Sequence, residues 1–176
     1  MEELPQPLIK LLEVLERFGA KAYLIGARAL IMYGVLSRTT KDVDIMITIE
    51  DIRVLRDELT KELRKKGFNV QWRAWGLLVR DKETGLEIDI NTPMLILDEE
   101  FERRSKTIAR NLYLPSLEDL IVTKLMSLER KDYEDIKEIF KIYRKIDFEY
   151  LCRRIVQANL KREFNRIAGR LKVRKC

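Results

Sequence analysis

The chain has 176 residues, 46% of them hydrophobic and 36% charged, with a net charge of +6 and no histidine. That length can bury a core for one domain plus a helical extension. The lack of histidine excludes Ser-His-Asp and Cys-His catalysis, and Cys152 with Cys176 supplies too few ligands for a zinc site.

Residues 7 to 18 predict an amphipathic helix, with Leu8, Leu11, Leu12, Leu15 and Phe18 on one stripe and Gly19 as its stop. An apolar strand, Tyr23-Leu24-Ile25, ends at Gly26 and runs directly into helix-forming residues up to Gly34. A second strand covers Lys41 to Ile47, and a second helix runs roughly from Asp51 to Lys66, closed by Gly67. Residues 68 to 80 and 86 to 91 read as two strands joined by the hairpin loop Asp81-Lys82-Glu83-Thr84-Gly85. From Pro115 the pattern is helical to the end, without repeats or flexible linkers. The fold class expected is α/β (α+β), a small mixed sheet flanked by helices. Residues 1–114 form its core and 115–176 a helical C-terminal region packed on it, basic from about residue 151.

Three carboxylates carry the functional signal. In Lys41-Asp42-Val43-Asp44-Ile45-Met46-Ile47 the alternation sends Val43, Ile45 and Ile47 to a core and leaves Asp42 and Asp44 on the other face. Their side chains would sit roughly 6.5 Å apart. Glu87, Asp89 and Asn91 share a face in the same way. If the two strands pair, about 4.8 Å separates them and three carboxylates converge. Such a cluster repels itself unless hard cations neutralise it, and Mg²⁺ takes a few carboxylates together with substrate phosphates. The bland alternative is an Asp-x-Asp decorating a solvent-facing strand, although Asp is depleted from strands. The strand-Gly26-helix junction is a second signal, because glycine lets a ligand approach unpaired backbone N–H groups at a helix start.

Taken together, Leu24-Ile25-Gly26-Ala27-Arg28-Ala29-Leu30, Gly34, Arg38-Thr39-Thr40-Lys41-Asp42-Val43-Asp44-Ile45 and Glu87-Ile88-Asp89-Ile90 resemble the nucleotidyltransferase superfamily with the DNA polymerase β-like fold. Within it the chain is most similar to the minimal and AbiEii-type prokaryotic members, some of which are toxins. Pro115 to Leu125, followed by Lys131-Asp132-Tyr133-Glu134-Asp135-Ile136, resembles the helical segment after the third carboxylate in that group. The resemblance implies that Asp42, Asp44 and Asp89 are catalytic and bind two Mg²⁺ ions, or Mn²⁺. It further implies that Gly26, Ala27 and the following N–H groups hold the phosphates of a nucleoside triphosphate. Ala27 stands where the group commonly has a second glycine or a small polar residue, so a hydroxyl contact to phosphate is absent.

Arg28, Arg38 and Lys41 are the cations nearest this triphosphate in sequence, and Arg28 in a first helical turn opposes the helix dipole. Lys124 falls within the apolar stripe Leu117, Leu120, Ile121, Leu125 and Leu128, where a lysine either snorkels outward or faces a polar cleft. The family pattern favours contact with the site's phosphates or acids. Asp132 and Asp135 either orient Lys124 or start the next helix, and the spacing favours the capping role. Trp72, Trp75 and Tyr33 are candidates for stacking on a base, or core residues.

From Leu151 onward nine Lys or Arg face one acid, Glu163, a net of +8, which leaves −2 for residues 1 to 150. Leu160, Phe164, Ile167 and Leu171 make an apolar stripe, with Lys161, Arg162, Arg166 and Arg170 elsewhere on the helix. This helix either offers cations to RNA phosphates or is simply solvated. Two cysteines make no disulfide framework, which fits a reducing cytoplasm. No run of eighteen apolar residues occurs and the start Met-Glu-Glu-Leu-Pro is unlike a signal peptide, so no membrane partner is expected. The charged composition is that of a thermophilic source. The function expected is Mg²⁺-dependent transfer of a nucleoside monophosphate to an RNA end or protein hydroxyl. The alternative is an inactive nucleotide- or RNA-binding member with a protein partner in a toxin-antitoxin pair.

Overall fold

A computed structural model describes residues 3–127 and 129–176. Leu128, assigned above to an apolar stripe, lies outside the described residues. Helix α1 (Gln6–Arg17) buries Leu8, Leu11, Leu12, Val14 and Leu15, and Gly19 ends it in a left-handed conformation at φ +74°. Strand β1 (Ala22–Ile25), fully buried, passes at Gly26 into the short helix α2 (Gly26–Met32). Strand β2 (Val43–Ile47) follows, then a 3₁₀ turn (Ile52–Leu55) that leads into α3 (Arg56–Lys65), whose Leu59 and Leu63 face the core.

The region read as one strand from 68 to 80 is a hairpin, β3 (Phe68–Arg73) and β4 (Gly76–Asp81), turning through Ala74 and Trp75. Its turn carries no Asn-Gly or Asp-Gly pair, so the strand signal looks continuous. Gly76 is the residue that makes the turn possible. Its φ is +155°, and a Cβ there would stand 1.9 Å from the Ile90 carbonyl oxygen. Strand β5 (Glu87–Asn91) runs antiparallel to β4 across the expected loop. Buried Asp81 shapes that loop by accepting from the Thr84 N–H and hydroxyl, each at 2.8 Å, and from Lys10 Nζ at 2.8 Å.

Residues 92 to 114, to which periodicity assigned nothing, contain α4 (Glu99–Arg104), β6 (Lys106–Ala109) and β7 (Leu112–Leu114). These strands are three or four residues long, too short for an alternating pattern to register. The mixed sheet therefore has seven strands, in the order β3-β4-β5-β2-β1-β7-β6. Four further helices complete the described chain: α5 (Leu117–Ser127), α6 (Arg130–Ile142), α7 (Phe148–Gln157) and α8 (Lys161–Leu171). Helix α3 packs on β3 and α1, while α2 packs on β1, β2 and α5. Strand alternation thus gives each face of the sheet its own helical cover.

A buried polar cluster ties α7 to the sheet side. Tyr150 donates to Asp119 at 2.9 Å, Arg154 Nε donates to the Tyr150 hydroxyl at 2.8 Å, and Arg154 Nη2 reaches Asp98 at 2.6 Å. On α8, Phe164, Ile167 and Ala168 are buried, and Lys161, Arg162, Arg166 and Arg170 are exposed. The cysteines, expected to be free, form a disulfide between Cys152 and Cys176. The antiparallel return of α8 along α7 brings together two residues 24 apart in sequence, which spacing alone does not reveal. Among the described residues no helix is long and apolar enough to cross a membrane.

Candidate active site

Strands β2 and β5 are neighbours and parallel, and their register sets Asp44 directly opposite Asp89. The two carboxylates therefore share one face of the sheet, one strand spacing apart. On the other side of β2, Ile25 of β1 pairs with Asp44, so the turn at Gly26 lies against the same carboxylate. A Cβ at Gly26 would come within 2.3 Å of Asp44 Oδ2, and the backbone there is left-handed at φ +69°. Glycine is required at this position on both counts.

Burial, then the neighbouring Asp89 and Asp42, pushes the Asp44 carboxyl up to about 6, against the opposing charges of Lys124 and Lys131. Burial also raises Asp89, opposed by Arg73, whose Nη1 lies 3.4 Å from Asp89 Oδ2. Asp89 Oδ1 is buried without a hydrogen-bond partner among the described residues. Asp42, one residue before β2, is exposed. The expected trio is thus a close pair with Asp42 at its rim, and no three acidic residues among the described residues are grouped to hold an ion.

Arg28 donates through Nη2 to the Thr40 carbonyl at 3.3 Å, while its Nε is buried with no partner among the described residues. Lys41 is exposed and, with Arg28, Asp42, Arg80 and Glu87, lines an open cleft of about 800 Å³. Arg38 is held by Asp135, at 2.9 and 3.1 Å to its two carboxylate oxygens. Ala27 follows Gly26 in the first turn of α2.

Lys124 is buried, and its ammonium donates to Asp132 Oδ1 at 2.9 Å and Asp135 Oδ2 at 2.8 Å. The capping expectation for these aspartates holds only in part. The cap of α6 is Glu129, one turn earlier than expected, and Asp132 closes its capping box by accepting from the Glu129 N–H at 3.2 Å. Asp135 plays no part in the cap and instead joins Lys124 to Arg38. A single acid can serve both roles, and sequence spacing does not distinguish them.

Arg73 and Lys131 are the charged residues near the carboxylates that sequence reading did not single out. Arg73 became visible only through the β3–β4 hairpin, whereas Lys131 stands beside Asp132 in a segment already marked by the family pattern. Of the aromatic candidates, Tyr33 donates to the Pro115 carbonyl at 2.7 Å and packs edge-on against Tyr143. Trp72 donates its indole N–H to Thr60 at 2.9 Å, and Trp75 is exposed at the hairpin tip.

A sheet in which a strand-Gly-helix unit abuts an Asp-x-Asp strand, itself paired with a third acidic strand, defines the nucleotidyltransferase fold. Solved structures share it at low identity. The antibiotic-resistance factor ANT(2'')-Ia is similar at 16% identity and TM-score 0.55, over 89% of this chain and 94% of that one. The lincosamide antibiotic adenylyltransferase LnuA, lincomycin-bound, matches at 17% identity and TM-score 0.51, over 81% and 100%. JHP933 from Helicobacter pylori matches at 16% and TM-score 0.52, over 93% and 75%. No curated protein matches the sequence significantly. The chain belongs to the family described as "Nucleotidyltransferase of unknown function (DUF6036)", whose model matches residues 6–173.

Proposed function

We propose that the protein transfers a nucleoside monophosphate from a nucleoside triphosphate to a hydroxyl of an RNA end or a protein, releasing pyrophosphate. The observation that carries this reading is the in-register pair Asp44 and Asp89 with Gly26 closed against Asp44. The donor set suits Mg²⁺ or Mn²⁺: all oxygen, mutually repelling, with one buried Asp89 oxygen unpartnered. Asp44 and Asp89 would hold the ions, with Asp42 and the substrate phosphates completing the set. When bound, two such ions neutralise charge on the entering and leaving oxygens of an in-line displacement at the α-phosphorus.

This chain's own groups do the positioning. Gly26 and the N–H groups of Ala27 and Arg28 face the phosphates, with the Arg28 guanidinium behind them. Lys124, fixed by Asp132 and Asp135, adds a buried cation near Asp44. Lys41 and Arg38 stand at the rim, and Asp89 orients the acceptor hydroxyl. The attacking hydroxyl oxygen forms a bond to the α-phosphorus and gives up its proton to solvent as the bond to the bridging oxygen of pyrophosphate breaks. The exposed cations of α8 would meet an RNA acceptor. A second reading, favoured by Ala27, is a non-catalytic member that binds nucleotide or RNA, with a protein partner in a toxin-antitoxin pair.

The test incubates wild type and Asp42→Ala/Asp44→Ala with α-labelled ATP, CTP, GTP or UTP and Mg²⁺. Acceptors are total RNA, cell extract and, because ANT(2'')-Ia is solved in complex with adenylyl-2''-tobramycin and LnuA with lincomycin, tobramycin and lincomycin. Label moved by wild type alone, onto RNA or protein, is the expected result. Nucleotide binding that survives loss of both aspartates, with no label moved, would favour the second reading.

A further inference from the structure

Remote from the carboxylates, α3 and the edge strand β3 form a groove of about 650 Å³ lined by Arg56, Asp57, Thr60, Lys61, Arg64, Lys65 and Trp72. Arg56, Thr60 and Arg64 recur every fourth residue and so form one stripe along α3, beside the buried stripe of Leu59 and Leu63. At 1.5 Å per residue, Arg56 and Arg64 are about 12 Å apart along the axis, a span of more than one phosphate of an extended single strand. Arg56, Lys61 and Arg64 are exposed, and none forms an ion pair among the described residues; Lys65 is held by Glu62 at 2.9 Å. Asp57 is the one acid in the lining.

Trp72 completes the groove. Its ring is oriented by the bond from Nε1 to Thr60 Oγ1 at 2.9 Å and lies beneath the Arg56 guanidinium, 5.5 Å from the ring centroid. A half-buried indole held in this way, with Arg56 over its ring and Lys61 and Arg64 exposed nearby, joins an aromatic surface to a phosphate track, the combination that binds single strands without reading sequence once Arg56 turns from the ring to a phosphate. Trp72 and Arg73 are consecutive on β3 and leave opposite faces of the sheet. Arg73 meets Asp89. The groove therefore lies on the face away from the carboxylate pair.

We propose that the α3–β3 groove binds a single-stranded polynucleotide, its phosphates on Arg56, Lys61 and Arg64 and a base on Trp72. This site does not rest on nucleotidyl transfer, and its failure is separable from failure of that reading. Asp44→Asn should lose transfer while binding the strand unchanged.

The experiment measures fluorescence anisotropy of a labelled 12-nucleotide RNA, and of DNA of the same sequence, across a salt series. Wild type is compared with Arg56→Ala/Lys61→Ala/Arg64→Ala, whose changes are all at exposed positions, and with Trp72→Phe and Trp72→Ala. The triple variant is expected to bind at least ten-fold more weakly, with the log–log salt slope reduced by about 2, since each single-strand phosphate contact contributes roughly 0.7. Trp72→Ala should cost roughly five-fold or more and Trp72→Phe less, and the strand should quench Trp72 fluorescence. RNA and DNA binding alike places the recognition in phosphate and base stacking; RNA alone adds a contact to the 2′-hydroxyl. Unchanged affinity and slope in the triple variant would overturn the proposal. So would loss of binding only on replacing the α8 cations Lys161, Arg162, Arg166 and Arg170, or equal displacement by ATP or poly-glutamate.

Discussion

Asp44 is held in an environment that resists its charge, and the direction of that effect sets its pH behaviour. Its carboxyl rises from 3.8 to about 6 because it is half-buried and faces Asp89. A carboxyl raised on folding favours the folded state in its protonated form. That contribution is complete below 3.8 and is lost as pH rises through about 6. Asp44→Asn, which removes the charge and keeps the shape, is therefore expected to stabilise the metal-free protein near neutral pH by roughly 1–2 kcal/mol. Urea unfolding across the pH range checks this, and the gap between variant and wild type should close below pH 4 or so. A gap independent of pH would show that Asp44 is not under this tension. Asp119, fully buried and likewise pushed up to about 6 by burial, titrates in both proteins and cancels from the difference.

At the scale of elements, α5 and α6 are joined by charge buried within their contact. Lys124 on α5 meets Asp132 and Asp135 on α6, Ser127 donates to Asp132, and Asp135 extends the chain to Arg38 in the segment before β2. One ammonium thus fixes the start of α6, and Asp135 anchors the segment leading to Asp42. Removing one partner of such a cluster leaves uncompensated charge out of water, which costs far more than the pair's net stabilisation. Lys124→Met is expected to destabilise the protein by about 3 kcal/mol. The triple variant Lys124→Met/Asp132→Asn/Asp135→Asn should recover part of that loss in thermal unfolding. No recovery would mean that the loss does not come from leaving Asp132 and Asp135 unpaired out of water.

For the molecule as a whole, the disulfide is the structural feature that composition argued against. It closes a loop of 24 residues that contains most of the C-terminal helical hairpin α7–α8. Closing a loop of that length contributes about 3 kcal/mol in the chain-entropy model. For a chain of this size that corresponds to a Tm lower by roughly 6–12 °C on reduction. Cys176→Ser without reductant should reproduce the shift, and a reductant should then have no further effect. An identical Tm in wild type and variant would remove the disulfide from the stability of this hairpin.

The amino-acid order alone made legible what depends on neighbours within a few residues. Helices α1 and α3, the strand β2, the Gly26 junction and the carboxylates Asp42, Asp44 and Asp89 follow from periodicity and from residue types that are costly unless used. The family likeness rested on the same short segments. Tertiary structure decided everything that depends on partners distant in the chain: the parallel pairing that opposes Asp44 to Asp89, the capture of Lys124 by Asp135, Arg73 beside Asp89, and the bond between Cys152 and Cys176. It also decided the short strands β6 and β7 and the turn at Gly76, where local preference is weak and pairing supplies the stability. The physical reason is one of range. Periodicity reports which side of an element is apolar, but which charged groups meet is set by how the elements pack, and one step of strand register would have put Asp89 on the other face.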